Sequence, residues 1–281
     1  MNLLRQRKLD KKILITGCSG YLGTQCTKIL SNLNYIIDGI DITKPKDISL
    51  YNRFYLQDIS NFISDTEYDC VIHLAALVKV NESLIKSTEY YNTNLFGTFN
   101  LLENIKTNNF IFSSTGVSTY LNNPYSISKA ASEFIIKEYC SRNKINFTIF
   151  RISNILGGTP TNDQGLMYHL LNALNTKVFT IYGNNYNTID GTCVRDYIHI
   201  NEVCNAMSLA INAPSNSTEE LGHGVGYSVK EIVNIFKTVN NVEFDIKYEN
   251  SRTGDLACTI AKNPSKFLNK TYNIEQILKV M

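Results

Sequence analysis

Lys12-Ile13-Leu14-Ile15-Thr16-Gly17-Cys18-Ser19-Gly20-Tyr21-Leu22-Gly23 decides how the rest of this sequence is read. Ile13-Leu14-Ile15 is a short apolar run, as a buried strand requires. It passes directly into a turn with a glycine at every third position. A helical pattern then continues to about Leu33. Strand, glycine turn and helix let a backbone bend tightly and approach a pyrophosphate, which the helix N-terminus attracts. The spacing, Gly17, Gly20, Gly23, is one residue longer at its first step than the ordinary dinucleotide fingerprint. A glycine turn alone is weak evidence, so its surroundings matter.

The next strand, Tyr35 to Ile40, ends in Asp41, about 20 residues past the glycines, where an acid binds the adenosine ribose hydroxyls. A carboxylate there repels a 2′-phosphate and favours NAD over NADP. Lys44 and Lys46 soften that preference. Further strands are expected at Arg53–Leu56, Asp69–Leu74, Phe110–Phe112 and Asn146–Ile152. A long amphipathic segment, Leu84–Lys106, and a helix from Tyr125 to about Arg142 separate them. Alternation of this kind builds a doubly wound parallel α/β sheet. His73 reads better as a packed strand-end histidine than as a catalyst. Ser113-Ser114-Thr115 places hydroxyls at the carboxyl end of a strand, facing the ligand crevice.

Ten positions later comes Asn123-Pro124-Tyr125-Ser126-Ile127-Ser128-Lys129. Tyr125 and Lys129 lie four apart, on one face of a starting helix. An ammonium beside a phenol favours the phenolate and lowers its pKa from about 10, giving a general base that can return its proton. With 17 tyrosines in the chain, this spacing gains meaning only beside a nicotinamide site.

Composition narrows the classes. The chain has 281 residues, 43% hydrophobic, with 27 basic and 25 acidic side chains. That is enough for a sizeable core, as one large domain or two interleaved ones. Net charge is +2 and no basic face stands out, so nucleic acid is not an expected partner. No stretch is long and apolar enough to span a membrane. Seven scattered cysteines and four histidines show no ligand spacing, so no metal or disulfide is expected. Residues 1–11 read as a solvated leader and the cytoplasm as the default compartment.

After Arg151 the alternation stops. Gly157, Gly158 and Pro160 mark a loop, and a helix is expected from about Leu166 to Asn175. Then come Tyr182-Gly183-Asn184 and Asp190-Gly191-Thr192-Cys193-Val194-Arg195-Asp196-Tyr197-Ile198-His199. Gly222 to Val229 turns into another helix, and Arg252-Thr253-Gly254-Asp255 lies near the end.

With these residues in place, the chain resembles the extended short-chain dehydrogenase/reductase superfamily over about residues 12–268. Within it the chain is most similar to the UDP-glucose/UDP-galactose 4-epimerases. The narrow signal is the Tyr182–Ile200 wording, with Asn81-Glu82-Ser83, Tyr90-Tyr91 and Gly222–Val229 in agreement.

The resemblance implies a Rossmann-like NAD-binding domain over 12–153, to which 191–206 returns. It implies a smaller, interleaved nucleotide-sugar lobe over 154–281. It also implies an isomerase that removes hydride from the sugar C4 to NAD and returns it on the other face. Cofactor contacts would come from Gly17, Gly20, Tyr21, Leu22, Gly23, Asp41, Asp58, Ile59, Leu74, Ala75, Ala76, Asn94 and Lys129. Tyr125, Lys129 and Thr115 would carry the proton chemistry, with Thr115 and Tyr125 also touching the substrate. Asn154, Arg195 and Arg252 would hold the diphosphate region, whose oxygens suit a guanidinium fork. Asp255 would take ribose hydroxyls, Thr180 and Tyr182 would face the uracil, and Leu166 would line the substrate side. A homodimer would form through the helices around Leu84–Lys106 and Tyr125–Arg142.

Departures from the family are visible. The segment between Thr115 and Tyr125 is shortened, and so is that between Asn154 and Leu166. Gly165 replaces a substrate-binding asparagine. Val78 stands where a cofactor-phosphate lysine is usual, with Lys79 one step on. Ile152 and Ser153 replace aromatic residues. Thr259, four past Asp255, stands where the family sets the room for the sugar 2-substituent, and its small size implies by that resemblance that an N-acetyl group is admitted. Two rival readings stand beside the epimerase. One is a 4,6-dehydratase, although Gly116-Val117 replaces the acidic pair that reaction needs. The other is an NAD fold whose trimmed loops prevent turnover.

Overall fold

A computed structural model describes residues 11–160 and 165–280. The leader falls almost wholly outside the described residues. The chain divides into two compact units. One runs to Arg151 and includes Cys204–Glu219; the other comprises Ile152–Val203 and the residues from Glu220 onward. The return segment is thus 204–219, later than the 191–206 expected.

The first unit is a three-layer α/β structure around a seven-stranded parallel sheet. Its strand order is Ser217–Leu221, Asn146–Ile152, Asn109–Thr115, Cys70–His73, Lys12–Thr16, Ile36–Asp41, Arg53–Leu56. The first strand, Lys12–Thr16, lies in the middle. Later strands are added first on one side and then on the other, which opens a crevice at the carboxyl ends beside it. Ile13, Leu14, Ile15, Val71, Ile72, Ile111 and Phe112 are fully buried. Helices cover both faces of a parallel sheet, so its central strands read as continuous apolar runs. The core adds Phe62, Tyr68, Leu101, Phe110, Ile136 and Ile149.

One expectation changes. The Leu84–Lys106 segment is broken into Val80–Ile85, Ser87–Tyr90, a π-helical stretch Tyr91–Phe96, and Gly97–Asn104. It ends early because Ile105, β-branched and buried, joins Lys106 and Thr107 in a strand parallel to Ser64–Tyr68. The Pro124–Asn143 helix starts with a reciprocal cap: Asn123 Oδ1 accepts from Ser126 N at 2.9 Å, and Ser126 Oγ accepts from Asn123 N at 3.3 Å. Pro124 occupies the first turn, where no amide proton is missed. This start fixes Tyr125 in the first turn and Lys129 one turn on.

In the second unit Val194–His199 is the hub strand. It pairs in parallel with Asn154–Leu156 and Cys258–Thr259 and antiparallel with Gly226–Ser228. Val178–Tyr182 pairs in parallel with Asp245–Glu249. The helices Gly165–Thr176 and Val229–Asn240 supply Met167, Leu170, Ala173, Ile232, Val233 and Phe236 to a separate core. No helix among the described residues is long and apolar enough to cross a membrane.

Candidate active site

The glycine turn in the first unit has no room for side chains. Gly17 has φ +68°, and a Cβ there would lie 2.6 Å from Ala75 N. A Cβ on Gly23 would lie 2.1 Å from Gly17 O, and one on Gly20 3.3 Å from the same oxygen. The Tyr21–Asn32 helix begins without a side-chain cap, so its first amides are left to the turn. Asp41 Oδ2 accepts from Ser19 N at 2.9 Å and its Oδ1 from Thr43 N at 2.9 Å. The acid is therefore locked against the glycine turn at the strand end. A bare-backbone cradle, an uncapped helix start and a fixed acid fit a dinucleotide.

Leu74 and Ala75 are held by Thr16, whose Oγ1 accepts from their amides at 3.2 and 3.1 Å. Asn94 secures the far end of this loop. Its Oδ1 accepts from Leu77 N at 2.8 Å, and its Nδ2 donates to Leu77 O at 2.9 Å and to Ser128 Oγ at 3.1 Å. Asn94 thus orients the Leu74–Leu77 loop from the π-helical stretch. Asp58 accepts from Ser60 N at 2.8 Å and stays partly exposed. The Ile59 side chain is buried in the core, so Ile59 can meet a ligand only through its backbone.

His73 is a structural residue. It is buried between Thr16 Oγ1 at 2.7 Å and Thr98 Oγ1 at 2.8 Å, beside Phe110 and Phe112. Burial first, then the Lys129 charge, holds its pKa well below the ordinary value.

Thr115, Tyr125 and Lys129 are brought together. The short Thr115–Tyr125 segment folds as a 3₁₀ turn, Gly116–Thr119, started by Thr115. It leaves the Thr115 hydroxyl close enough to Tyr125 to lower its phenol pKa. Lys129 Nζ donates to Ser113 O at 2.8 Å and lies 4.5 Å from the Phe112 ring centroid. Lys129 is buried and Tyr125 half-buried. Burial pushes the Tyr125 phenol up to about 12, opposed by the nearby Thr115 hydroxyl. Burial pushes Lys129 down to about 7, opposed by Glu133. The group that lowers the tyrosine pKa is thus Thr115 and not, as expected, Lys129, and desolvation opposes each charge alone.

One neighbour was not anticipated. Glu133, the next turn after Lys129, is buried and accepts from Ser114 Oγ at 2.5 Å and Ser118 Oγ at 2.9 Å. Arg151 forks onto it, with Nη2 2.6 Å from Oε2 and Nε 3.0 Å from Oε1. Tyr125, Lys129 and Glu133 recur every fourth residue, and that periodicity was the available signal.

In the second unit the Arg252 guanidinium lies 3.7 Å from the Tyr182 ring centroid. Arg195 and Arg252 both act to lower the Asp255 pKa, although burial raises it overall. Tyr182, Arg252 and Asp255, with Arg195, therefore form one cluster. Asn154 lies opposite Tyr197 in the hub sheet, Thr180 lies opposite Lys247, and Leu166 packs against the core. Asp196, next to Arg195, accepts from His223 N, Gly224 N and Ala261 N at 2.9, 2.8 and 3.2 Å.

Residues 13–235 match the NAD dependent epimerase/dehydratase family. The chain is 30% identical to the UDP-glucose 4-epimerase of Haemophilus influenzae, with 90% of this chain and 89% of the relative covered. It is 28% identical to the UDP-glucose 4-epimerase of Mycoplasma pneumoniae, covering 95% and 96%. The solved UDP-glucose 4-epimerase of Bifidobacterium longum, in complex with NAD+ and UDP, is similar with TM-score 0.85 and 25% identity, over 95% of this chain and 96% of that one. The UDP-Glc/GlcNAc 4-epimerase of Campylobacter jejuni is similar with TM-score 0.75 and 26% identity, over 95% and 97%.

Proposed function

The chain belongs to the NAD dependent epimerase/dehydratase family, and from that premise we propose that it inverts C4 of a UDP-hexose through a transient 4-keto sugar. UDP-glucose and UDP-galactose are the first pair, with the N-acetylated hexosamines as a second pair admitted by Thr259. One observation carries the reading: the shortened segment still delivers Thr115 to Tyr125, one helical turn from Lys129.

NAD, when bound, supplies the acceptor that takes the C4 hydride and gives it back. Gly17, Gly20, Tyr21, Leu22 and Gly23 would cradle its pyrophosphate. Asp41 would take the ribose hydroxyls, and Asp58 with the Ile59 backbone the adenine. Leu74, Ala75, Ala76, Asn94 and Lys129 would border the nicotinamide half. Tyr125 as phenolate accepts the proton of the sugar 4-hydroxyl and later returns it. Burial disfavours the phenolate and the ammonium singly, so each is best formed opposite the other. Lys129 therefore holds a positive charge where the phenolate develops, and Thr115 stabilises that oxygen by hydrogen bonding. Arg195, Arg252 and Asn154 would take the diphosphate, Asp255 the ribose, Tyr182 and Thr180 the uracil, and Leu166 would line the substrate side. Gly116-Val117 gives no acid pair for moving water from C5–C6, which disfavours a dehydratase.

We assign the protein to the cytoplasm as a homodimer. Exposed Phe96, Phe99 and Phe134 on the helices flanking the sheet support an interface there.

The test is purified protein given UDP-galactose without added cofactor, with proton NMR following C4. UDP-glucose is the expected product. A 4-keto-6-deoxy sugar would assign a dehydratase, and no product even with added NAD would assign the inactive reading. UDP-N-acetylgalactosamine tests the second pair; its rejection alongside turnover of UDP-galactose removes that pair.

A further inference from the structure

We propose that Glu133 is a positioning residue, whose buried carboxylate, anchored by Arg151, holds the Lys129 ammonium and the strand end carrying Thr115 in working register. This rests on the epimerase reading for its consequence in turnover, but its geometry stands apart from it.

One Glu133 oxygen accepts from Ser114 on the Asn109–Thr115 strand and from Ser118 on the following 3₁₀ turn. The same strand end offers Ser113 O to Lys129 Nζ. Glu133 therefore ties together both sides of Thr115 and the helix turn above Lys129. A carboxylate buried to this degree needs a paired charge, and the Arg151 fork provides it. Around Lys129, its own helix contributes Tyr125 and Glu133. The Cys70–His73 strand contributes His73, kept neutral by burial, and the Asn146–Ile152 strand contributes Arg151 behind Glu133. Glu133 is the one negative charge named in that set, and it acts to keep Lys129 protonated.

The experiment reads the lysine directly. Lysine labelled with ¹³C at Cε is titrated by NMR, with the Lys129 signal assigned through Lys129→Arg. Glu133→Gln keeps the acceptor oxygen and removes the charge. Its Lys129 midpoint should fall by about one pH unit or more, since an opposite charge this near shifts a pKa by about 1–3 units. Glu133→Asp keeps the charge and should leave the midpoint near the parent's. Recovery with the charge restored is not expected of general loosening. In turnover, the alkaline limb of kcat should move down with Glu133→Gln and stay near the parent's with Glu133→Asp. A midpoint unchanged in folded Glu133→Gln, or moved as far in Glu133→Asp as in Glu133→Gln, overturns the proposal. Midpoints moved as predicted in a protein that epimerises no UDP-sugar support the positioning role and refute the functional reading.

Discussion

Thr115→Val removes one hydroxyl from the Tyr125 pair and keeps the β-branched shape of the strand end. Thr115 is the group that opposes the effect of burial on the Tyr125 phenol. A hydrogen bond to an ionised group contributes about 1.5–3 kcal/mol. Its loss raises the tyrosine pKa further, by about 1–2 units. At a fixed pH the phenolate fraction then falls, and kcat with it, by about 10–150-fold. The sign is set because the lost bond favoured the charged form: the limb where activity rises with pH moves to higher pH. The fold should be little affected, since the Val117 amide reaches Thr115 Oγ1 only at 3.4 Å. The assay is kcat for UDP-galactose from pH 6 to 10, with thermal unfolding as a control. A kcat within about twofold of the parent and an unmoved limb would show that Thr115 does not act on Tyr125.

Gly23→Ala places a methyl 2.1 Å from Gly17 O and must open the turn; the purified variant should carry little NAD on nucleotide release by heat, where the parent carries it. His73 is held neutral, so below its ordinary pKa the unfolded chain binds a proton that the folded chain refuses. Its stability contribution is present above about pH 6.5 and is lost as pH falls below it, at up to about 1.4 kcal/mol per pH unit. Urea melts at pH 4.5–7.5 should show that slope reduced in His73→Gln. Arg252→Ala removes the cation over Tyr182 and one positive neighbour of Asp255. It should raise KM for UDP-galactose about tenfold or more with kcat nearly unchanged, the pattern of lost ground-state binding.

The sheet was legible because its central strands are buried on both faces and so stand out as Ile13–Ile15, Val71–Ile72 and Phe110–Phe112. Ser217–Leu221 was not: it is an edge strand of Ser, Thr and Glu, partly exposed, whose one apolar residue, the buried Leu221, makes no alternating face to reveal it. Val194–His199 was legible as a motif but not as the hub of the second unit, since its partners lie 30–64 residues away. The Tyr125/Lys129 spacing and the hydroxyls at the Ser113–Thr115 strand end were visible in the sequence. The strength of burial at Tyr125 and Lys129 was not, because it comes from packing of distant elements. Glu133 looks like an ordinary helix-surface acid in the sequence. Its spacing four past Lys129 gives the shared face, but that this face turns inward shows only with the strand carrying Arg151, 18 residues on.

The central claim is that this chain oxidises and re-reduces one carbon with Tyr125 as the base. Purified protein given UDP-galactose carrying deuterium at C4 tests it in one experiment. The account predicts UDP-glucose with the deuterium still at C4, formed without added cofactor and abolished in Tyr125→Phe. Deuterium washed out to solvent, or equal turnover by Tyr125→Phe, would contradict it.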